Sequence, residues 1–154
     1  GNLGDVLDTI DRTVARITAT PGITDVVVSP YYRTSPVSDI PQNDFFNAVC
    51  RLRTTLSPRQ LLEKMQAIEI FMGKVVKDKN APRIIDIDIL LYDTIVIADS
   101  DLEIPHPRWM ERLFVLQPLL HLTDHLLIPD ATQPSGVRQF NLRDYLQNFS
   151  NPNN

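Results

Sequence analysis

Residues 84–90 read Ile84-Ile85-Asp86-Ile87-Asp88-Ile89-Leu90, and this run decides the reading of the chain. β-Branched residues at this density favour a strand, in which residues two apart share a face. Ile85, Ile87 and Ile89 therefore turn one way, toward a core, while Asp86 and Asp88 turn together the other way. On a strand rising about 3.3 Å per residue the two carboxylates stand roughly 7 Å apart. That is too far to share a proton. It suits two oxygen ligands around Mg²⁺, or around a pair of such ions, because Mg²⁺ takes one or two carboxylates and fills its shell with water and phosphate. A hydrated edge strand is the plainer explanation for a generic D-x-D. The flanks favour the metal: Asp is depleted in strands, and Arg83 stands just before the pair, behind a loop containing Lys74, Lys77 and Lys79. Cations beside a metal-binding acid pair suit a polyphosphate whose charge must be offset during transfer.

Working outward, Val6, Leu7, Ile10, Val14 and Ile17 recur at helical spacing and predict a first helix ending before Pro21-Gly22. The segments TDVVVSPYYRT (24–34) and FFNAVCRLRTT (45–55) read as strands, separated by a polar, Pro-rich loop exposed to ligands. Ser57, Pro58 and Gln60 form a helix start, with Ser57 as N-cap and Gln60 completing a capping box, and that helix closes near Gly73. After the acidic run, TIVIAD and DLEIP predict short strands. PRWMERLFVLQPLLHL predicts a helix in two parts interrupted at Pro118, and a last helix starts near Asn141. The order implies an α+β sandwich, a mainly antiparallel sheet with helices on one face. Residues 1–148 read as one domain and 149–154 as a polar tail or linker.

Composition narrows the function. A chain of 154 residues with a net charge of −4 and scattered Lys and Arg does not suit general nucleic-acid binding, and no apolar run reaches membrane-spanning length. Cys50 is the only cysteine, so there is no disulfide framework and no cysteine-rich metal site; it reads as a small core residue in a reducing compartment, and the cytoplasm is the expected location. Neither GxxxxGK[ST] nor GxGxxG occurs, so phosphate must be held by side chains and metal. His106, at a strand end before Pro107, joins Arg112 as a second cationic clamp, whereas His121 and His125 read as surface residues.

Several stretches, in order, carry a resemblance: NLGD at 2–5, YRTSPV at 32–37, QNDFFN at 42–47, Glu69 with Gly73, APRIIDIDIL at 81–90, IPHPR at 104–108 and RLFVLQPL at 112–119. The chain resembles the 6-hydroxymethyl-7,8-dihydropterin pyrophosphokinases of folate biosynthesis. The resemblance implies a ferredoxin-like fold and transfer of the β,γ-pyrophosphoryl group of ATP to the pterin hydroxymethyl group, leaving AMP. It further implies two Mg²⁺ ions on Asp86 and Asp88, catalytic roles for these with Arg83 and Lys74, and an ATP site of Glu69, Lys74, Arg83, His106 and Arg112. Thr34, Val37, Phe45, Asn47 and Phe114 fall where the family holds the pterin, and a flat heteroaromatic is well held by aromatic rings and an amide.

The chain departs from the family pattern at three places. Family members usually open with an apolar strand and GSNLG, so the first, central strand is expected to be missing from a chain that opens GNLGD. Lys74 stands where arginine is frequent, keeping the charge without the bidentate fork. Asn80 stands where an aromatic residue is frequent. Relatives in this pathway are often fused to dihydropteroate synthase, for which the NFSNPNN tail suits a linker. Two other classes fit the acidic run alone: a ferredoxin-like ligand-binding module without catalysis, and a metal-dependent phosphohydrolase.

Overall fold

Asp5 opens the first helix: its carboxylate accepts a hydrogen bond from the Asp8 amide at 3.1 Å, satisfying one of the free donors of the first turn. The helix that follows, α1 (Val6–Thr18), buries Val6, Ile10 and Ile17 as the spacing predicts, with Thr13 beside them; Val14 is partly buried and Leu7, also expected on this face, is exposed. In this computed structural model, residues 1–36, 41–75 and 82–149 are described. They fall into two compact units, Gly1–Ile87 and Asp88–Asn154.

In the first unit, β1 (Ile23–Val28) pairs antiparallel with β4 (Cys50–Thr54), and β2 (Tyr32–Thr34) pairs antiparallel with β3 (Phe45–Asn47). The two long strands expected from the sequence are thus each broken in two. The breaks meet: the Ser29 amide donates to the Val49 carbonyl at 2.9 Å and the Val49 amide donates back to Ser29 Oγ at 3.0 Å. A side-chain hydroxyl here takes the place of a ladder partner, and Pro30 has no N–H to continue the ladder. The second helix, α2 (Pro58–Phe71), begins with the expected capping box: Ser57 Oγ accepts from the Gln60 amide at 3.2 Å and Gln60 Oε1 accepts from the Ser57 amide at 2.9 Å. It ends as Gly73 turns to φ +95°, a conformation that favours glycine.

The acidic run is the main correction. Ile85 is buried with Val6 and Ile10, and Ile84, Ile87, Phe46 and Met72 pack on them. Ile85 and Ile87 thus reach the core as expected, but Ile84, on the parity of the acids, packs there too and Ile89 is not in this cluster. Yet residues 85–90 belong to none of the four described antiparallel pairs. The backbone along this stretch is satisfied singly: the Asn2 amide donates to the Arg83 carbonyl at 2.9 Å, and the Ile87 amide donates to Glu69 Oε1 at 2.6 Å. The segment is extended in its side-chain logic without belonging to a ladder.

In the second unit, β5 (Ile97–Ala98) and β6 (Glu103–Ile104) form a short antiparallel pair, and Ile104–Pro105 is a cis bond. A 3₁₀ turn at Trp109–Glu111 is followed by α3 (Leu113–Leu120). The expected interruption at Pro118 falls instead at Arg112, whose extended backbone separates turn from helix; Pro118 lies inside α3. In so short a helix a proline in the second turn forfeits a single intrahelical bond. A hairpin that the sequence does not announce, β7 (His125–Pro129) with β8 (Val137–Asn141), leads into α4 (Leu142–Gln147), which starts near Asn141 as expected and is capped by the Asn141 side chain. Ile104, Trp109, Leu116, Phe140 and Leu142 are buried, with Trp109 edge-on to Phe140 at 5.6 Å. Four helices and four antiparallel pairs among the described residues place the chain in the α+β class. No helix among those residues is long and apolar enough to cross a membrane.

Candidate active site

Glu69 lies on the buried face of α2 with Leu61, Met65 and Ile68 and is 7% exposed. A carboxylate in such surroundings requires partners. It has two: Oε1 accepts the Ile87 amide at 2.6 Å and Oε2 accepts Lys74 Nζ at 2.9 Å. Lys74 reaches it because the chain reverses at Gly73, where the Lys74 amide also donates to the Glu69 carbonyl at 2.9 Å. The same ammonium sits 2.8 Å from Asp86 Oδ1, and Arg83 NH1 sits 2.5 Å from Asp86 Oδ2. Two cations therefore converge on Asp86, one on each oxygen.

The electrostatics follow from that convergence. Burial by itself would lower the pKa of Lys74, but hydrogen bonds and charge from Asp86 and Glu69 outweigh it and hold the ammonium above its ordinary range. Burial would likewise raise Asp86, and Lys74 with Arg83 override it, holding the carboxyl below its ordinary range. Arg83 is not fully used: its Nε is buried with no hydrogen-bond partner among the described residues. An orphaned guanidinium donor beside a carboxylate suits a ligand that brings acceptor oxygens.

Arg83 is fixed from the opposite end of the unit's sequence. Asn2, 1% exposed, accepts the Arg83 amide on Oδ1 at 3.0 Å and donates from Nδ2 to Gln42 Oε1 at 2.8 Å and to the Asn43 carbonyl at 3.0 Å. Gly1 passes so near the Ile84 carbonyl that a Cβ would lie 1.8 Å from its oxygen, a spacing only glycine permits. Asn2 thus ties the segment leading into β3 to the backbone of Arg83. On β3, Phe45 stands opposite Thr34, and Asn47 Nδ2 donates to Thr34 Oγ1 at 3.0 Å. Three of the residues expected to hold a pterin, Thr34, Phe45 and Asn47, are therefore brought together on one two-stranded pair. Val37 lies outside the described residues, as do Lys77, Lys79 and Asn80.

Asp88, Arg112, Phe114 and His106 belong to the second unit. Arg112 NH1 stands 3.9 Å from Asp88 Oδ2, and its guanidinium lies 5.6 Å from the Phe114 ring centre. The His106 amide donates to the Leu90 carbonyl at 2.8 Å, and its Nδ1 accepts the Arg108 amide at 3.1 Å. Among the described residues no three His, Cys, Asp or Glu side chains cluster as a metal cage. An ion such as Mg²⁺ does not require such a cage, because it takes most of its ligands from water and phosphate.

A family model described as 7,8-dihydro-6-hydroxymethylpterin-pyrophosphokinase matches residues 1–124. The chain belongs to this pyrophosphokinase family. Its relatives include a 2-amino-4-hydroxy-6-hydroxymethyldihydropteridine pyrophosphokinase of Methylorubrum extorquens, 38% identical over 90% of this chain and 92% of that protein. The enzyme of that name in Bacillus subtilis is 34% identical over 96% of this chain and 90% of its own length. The folic acid synthesis protein fol1 of Schizosaccharomyces pombe is 40% identical over 86% of this chain, which spans only 18% of that longer protein. Within this pyrophosphokinase chain, Asn2 lies in the NLGD stretch that opens the family resemblance, but sequence reasoning gave it no role of its own; its contacts with Gln42, Asn43 and Arg83 emerge only in the structure.

Proposed function

We propose that this chain transfers the β,γ-pyrophosphoryl group of ATP to the hydroxymethyl oxygen of 6-hydroxymethyl-7,8-dihydropterin in folate biosynthesis. The oxygen–Pβ bond forms, the bond from Pβ to the α,β-bridging oxygen breaks, AMP leaves and the hydroxyl proton passes to water. The observation that carries this reading is the Lys74–Asp86–Arg83 cluster, with its orphaned Arg83 Nε, in a chain of the pyrophosphokinase family.

Asp86 and Asp88 are the proposed ligands of two Mg²⁺ ions, which would neutralise phosphate charge and orient the transferred group. Arg83 and Lys74 supply positive charge to the phosphates, and His106 and Arg112 are assigned to the ATP side with Glu69. Thr34, Val37, Phe45 and Asn47 are assigned to the pterin, with Phe114 as a further aromatic contact. The Thr34–Asn47 hydrogen bond supports this, because it fixes the amide that would read the ring edge. The architecture that supports the site is proposed to be ferredoxin-like, and the location cytoplasmic, in keeping with one unpaired cysteine. The small share of the fission yeast protein that the chain covers supports a longer, fused polypeptide; dihydropteroate synthase as the fused partner is proposed from the family resemblance alone.

The deciding experiment incubates the protein with ATP, Mg²⁺ and hydroxymethyl-dihydropterin and separates the nucleotides. AMP in equal amount to pterin consumed is the expected result. Release of ADP or inorganic phosphate without need of pterin would instead identify a phosphohydrolase.

A further inference from the structure

Glu69 has a geometry that sets it apart from a simple nucleotide contact. Its two oxygens are turned inward, one to the Ile87 amide and one to Lys74, and it is among the most buried charged side chains described. Lys74 in turn is held between two carboxylates, 2.9 Å from Glu69 Oε2 and 2.8 Å from Asp86 Oδ1. The Asp86 oxygen that faces Lys74 is thus already neutralised, so a divalent cation seeking that oxygen competes with the ammonium.

We infer that Glu69 is a positioning residue that governs metal binding at Asp86 through Lys74: it is the second resting place of the ammonium, so Asp86 exchanges Lys74 for a divalent cation while Lys74 keeps a partner. The inference rests on the proposal that Asp86 is a metal ligand. The physical argument is a charge count. Without Glu69, Lys74 that leaves Asp86 becomes a partly buried cation with no carboxylate, a costly state, and it therefore holds Asp86 more tightly. With Glu69 present the exchange strands neither charge. The short link from Glu69 Oε1 to the Ile87 amide also ties the two sides of the exchange together, since Ile87 adjoins Asp86 in the chain. Glu69 thereby senses the position of the metal-bearing segment as well as that of the lysine.

The test measures Mn²⁺ binding to the nucleotide-free protein by electron paramagnetic resonance, Mn²⁺ standing in for Mg²⁺ as another oxygen-seeking ion. Glu69→Gln keeps the shape and an acceptor for the Ile87 amide while removing the charge that holds Lys74. It is expected to weaken Mn²⁺ binding about tenfold, in the range seen for groups that orient metal ligands. Lys74→Met removes the competitor, so Mn²⁺ binding is expected to tighten. In the Lys74→Met background, Glu69→Gln is expected to cost no more than about threefold, the remaining effect of a nearby charge. Equal losses in both backgrounds would reduce Glu69 to a general field effect, and no loss in either would remove it from metal binding altogether; both overturn the inference. If Glu69→Gln does not fold, Lys74→Met carries the test alone, and unchanged or weaker Mn²⁺ binding in it refutes the competition. Asp86→Asn serves as the separate control: if it leaves Mn²⁺ binding intact, the metal assignment fails rather than the role of Glu69.

Discussion

Asp86 and Asp88 are two positions apart and identical in type, and the structure treats them differently. The Asp86 side chain is 27% exposed and meets Lys74 and Arg83 at 2.8 and 2.5 Å. That of Asp88 is 57% exposed and its nearest described cation, Arg112, stands at 3.9 Å. A sequence pattern that presents two equivalent carboxylates therefore yields one that is built into the charge balance of the protein and one that is open to solvent. Asp86 is already paired within the protein's own charge balance, whereas Asp88 keeps most of its side chain in water and has only a distant cation beside it.

The largest expected effect ignores the contrast. If both acids hold metal, Asp86→Ala and Asp88→Ala should each lower turnover by at least about a hundredfold, since charge stabilisation supplies most of the catalysis in phosphoryl transfer. Rates of AMP formation at saturating ATP check this. A variant of either residue with near-normal turnover removes that residue from the metal site.

The next effect exposes the contrast. Asp86→Ala leaves Lys74 and Arg83 without the carboxylate they share, and should cost about 1–2 kcal/mol, a value kept low because these groups remain partly solvated. Asp88→Ala, at an exposed position, should stay within about 0.5 kcal/mol of the parent. Urea unfolding of the two variants measures the gap directly. Equal destabilisation would mean that the different burial of the two acids has no energetic weight.

The same contrast shows how far the sequence could be read. Helices were legible because their signals are local: periodic apolar residues for α1, and Ser57 with Gln60 at the start of α2. Strands were less so, because a ladder depends on partners distant in sequence. Nothing in TDVVVSPYYRT announces that Ser29 will bond to Val49 and break it, and nothing in IIDIDIL announces that the Ile87 amide will find a buried glutamate instead of a strand. The β7–β8 hairpin was missed for a related reason: Leu127 is exposed and the flanking residues are mixed, so the alternation carried little weight until the two halves were seen paired. In the site, adjacency of charge made Lys74, Arg83 and Asp86 a legible group. Asn2 was not, since its value lies in three partners some 40 and 81 residues away.

The smallest effect is the pH dependence of the Asp86 contribution, and its sign follows from the two shifts. The folded-state pKa of Asp86 lies below the ordinary value of 3.8, so its contribution is fully present above that value and is lost as pH falls through the folded pKa. That of Lys74 lies above 10.5, so its contribution is present below that value and is lost as pH rises through the folded pKa. The cluster therefore stabilises the fold across a plateau between the two values and weakens at both ends. Comparing urea midpoints of the parent with those of Asp86→Asn isolates the acid limb: the difference should be constant through neutral pH and shrink as pH drops below about 3.8, where an unfolded aspartate protonates. A difference that persists undiminished to the lowest pH would show that Asp86 acts through shape and hydrogen bonding, which Asn can share, and not through its charge. In that case the contrast with Asp88 would reduce to one of burial, and Lys74 and Arg83 would need another reason to converge where they do.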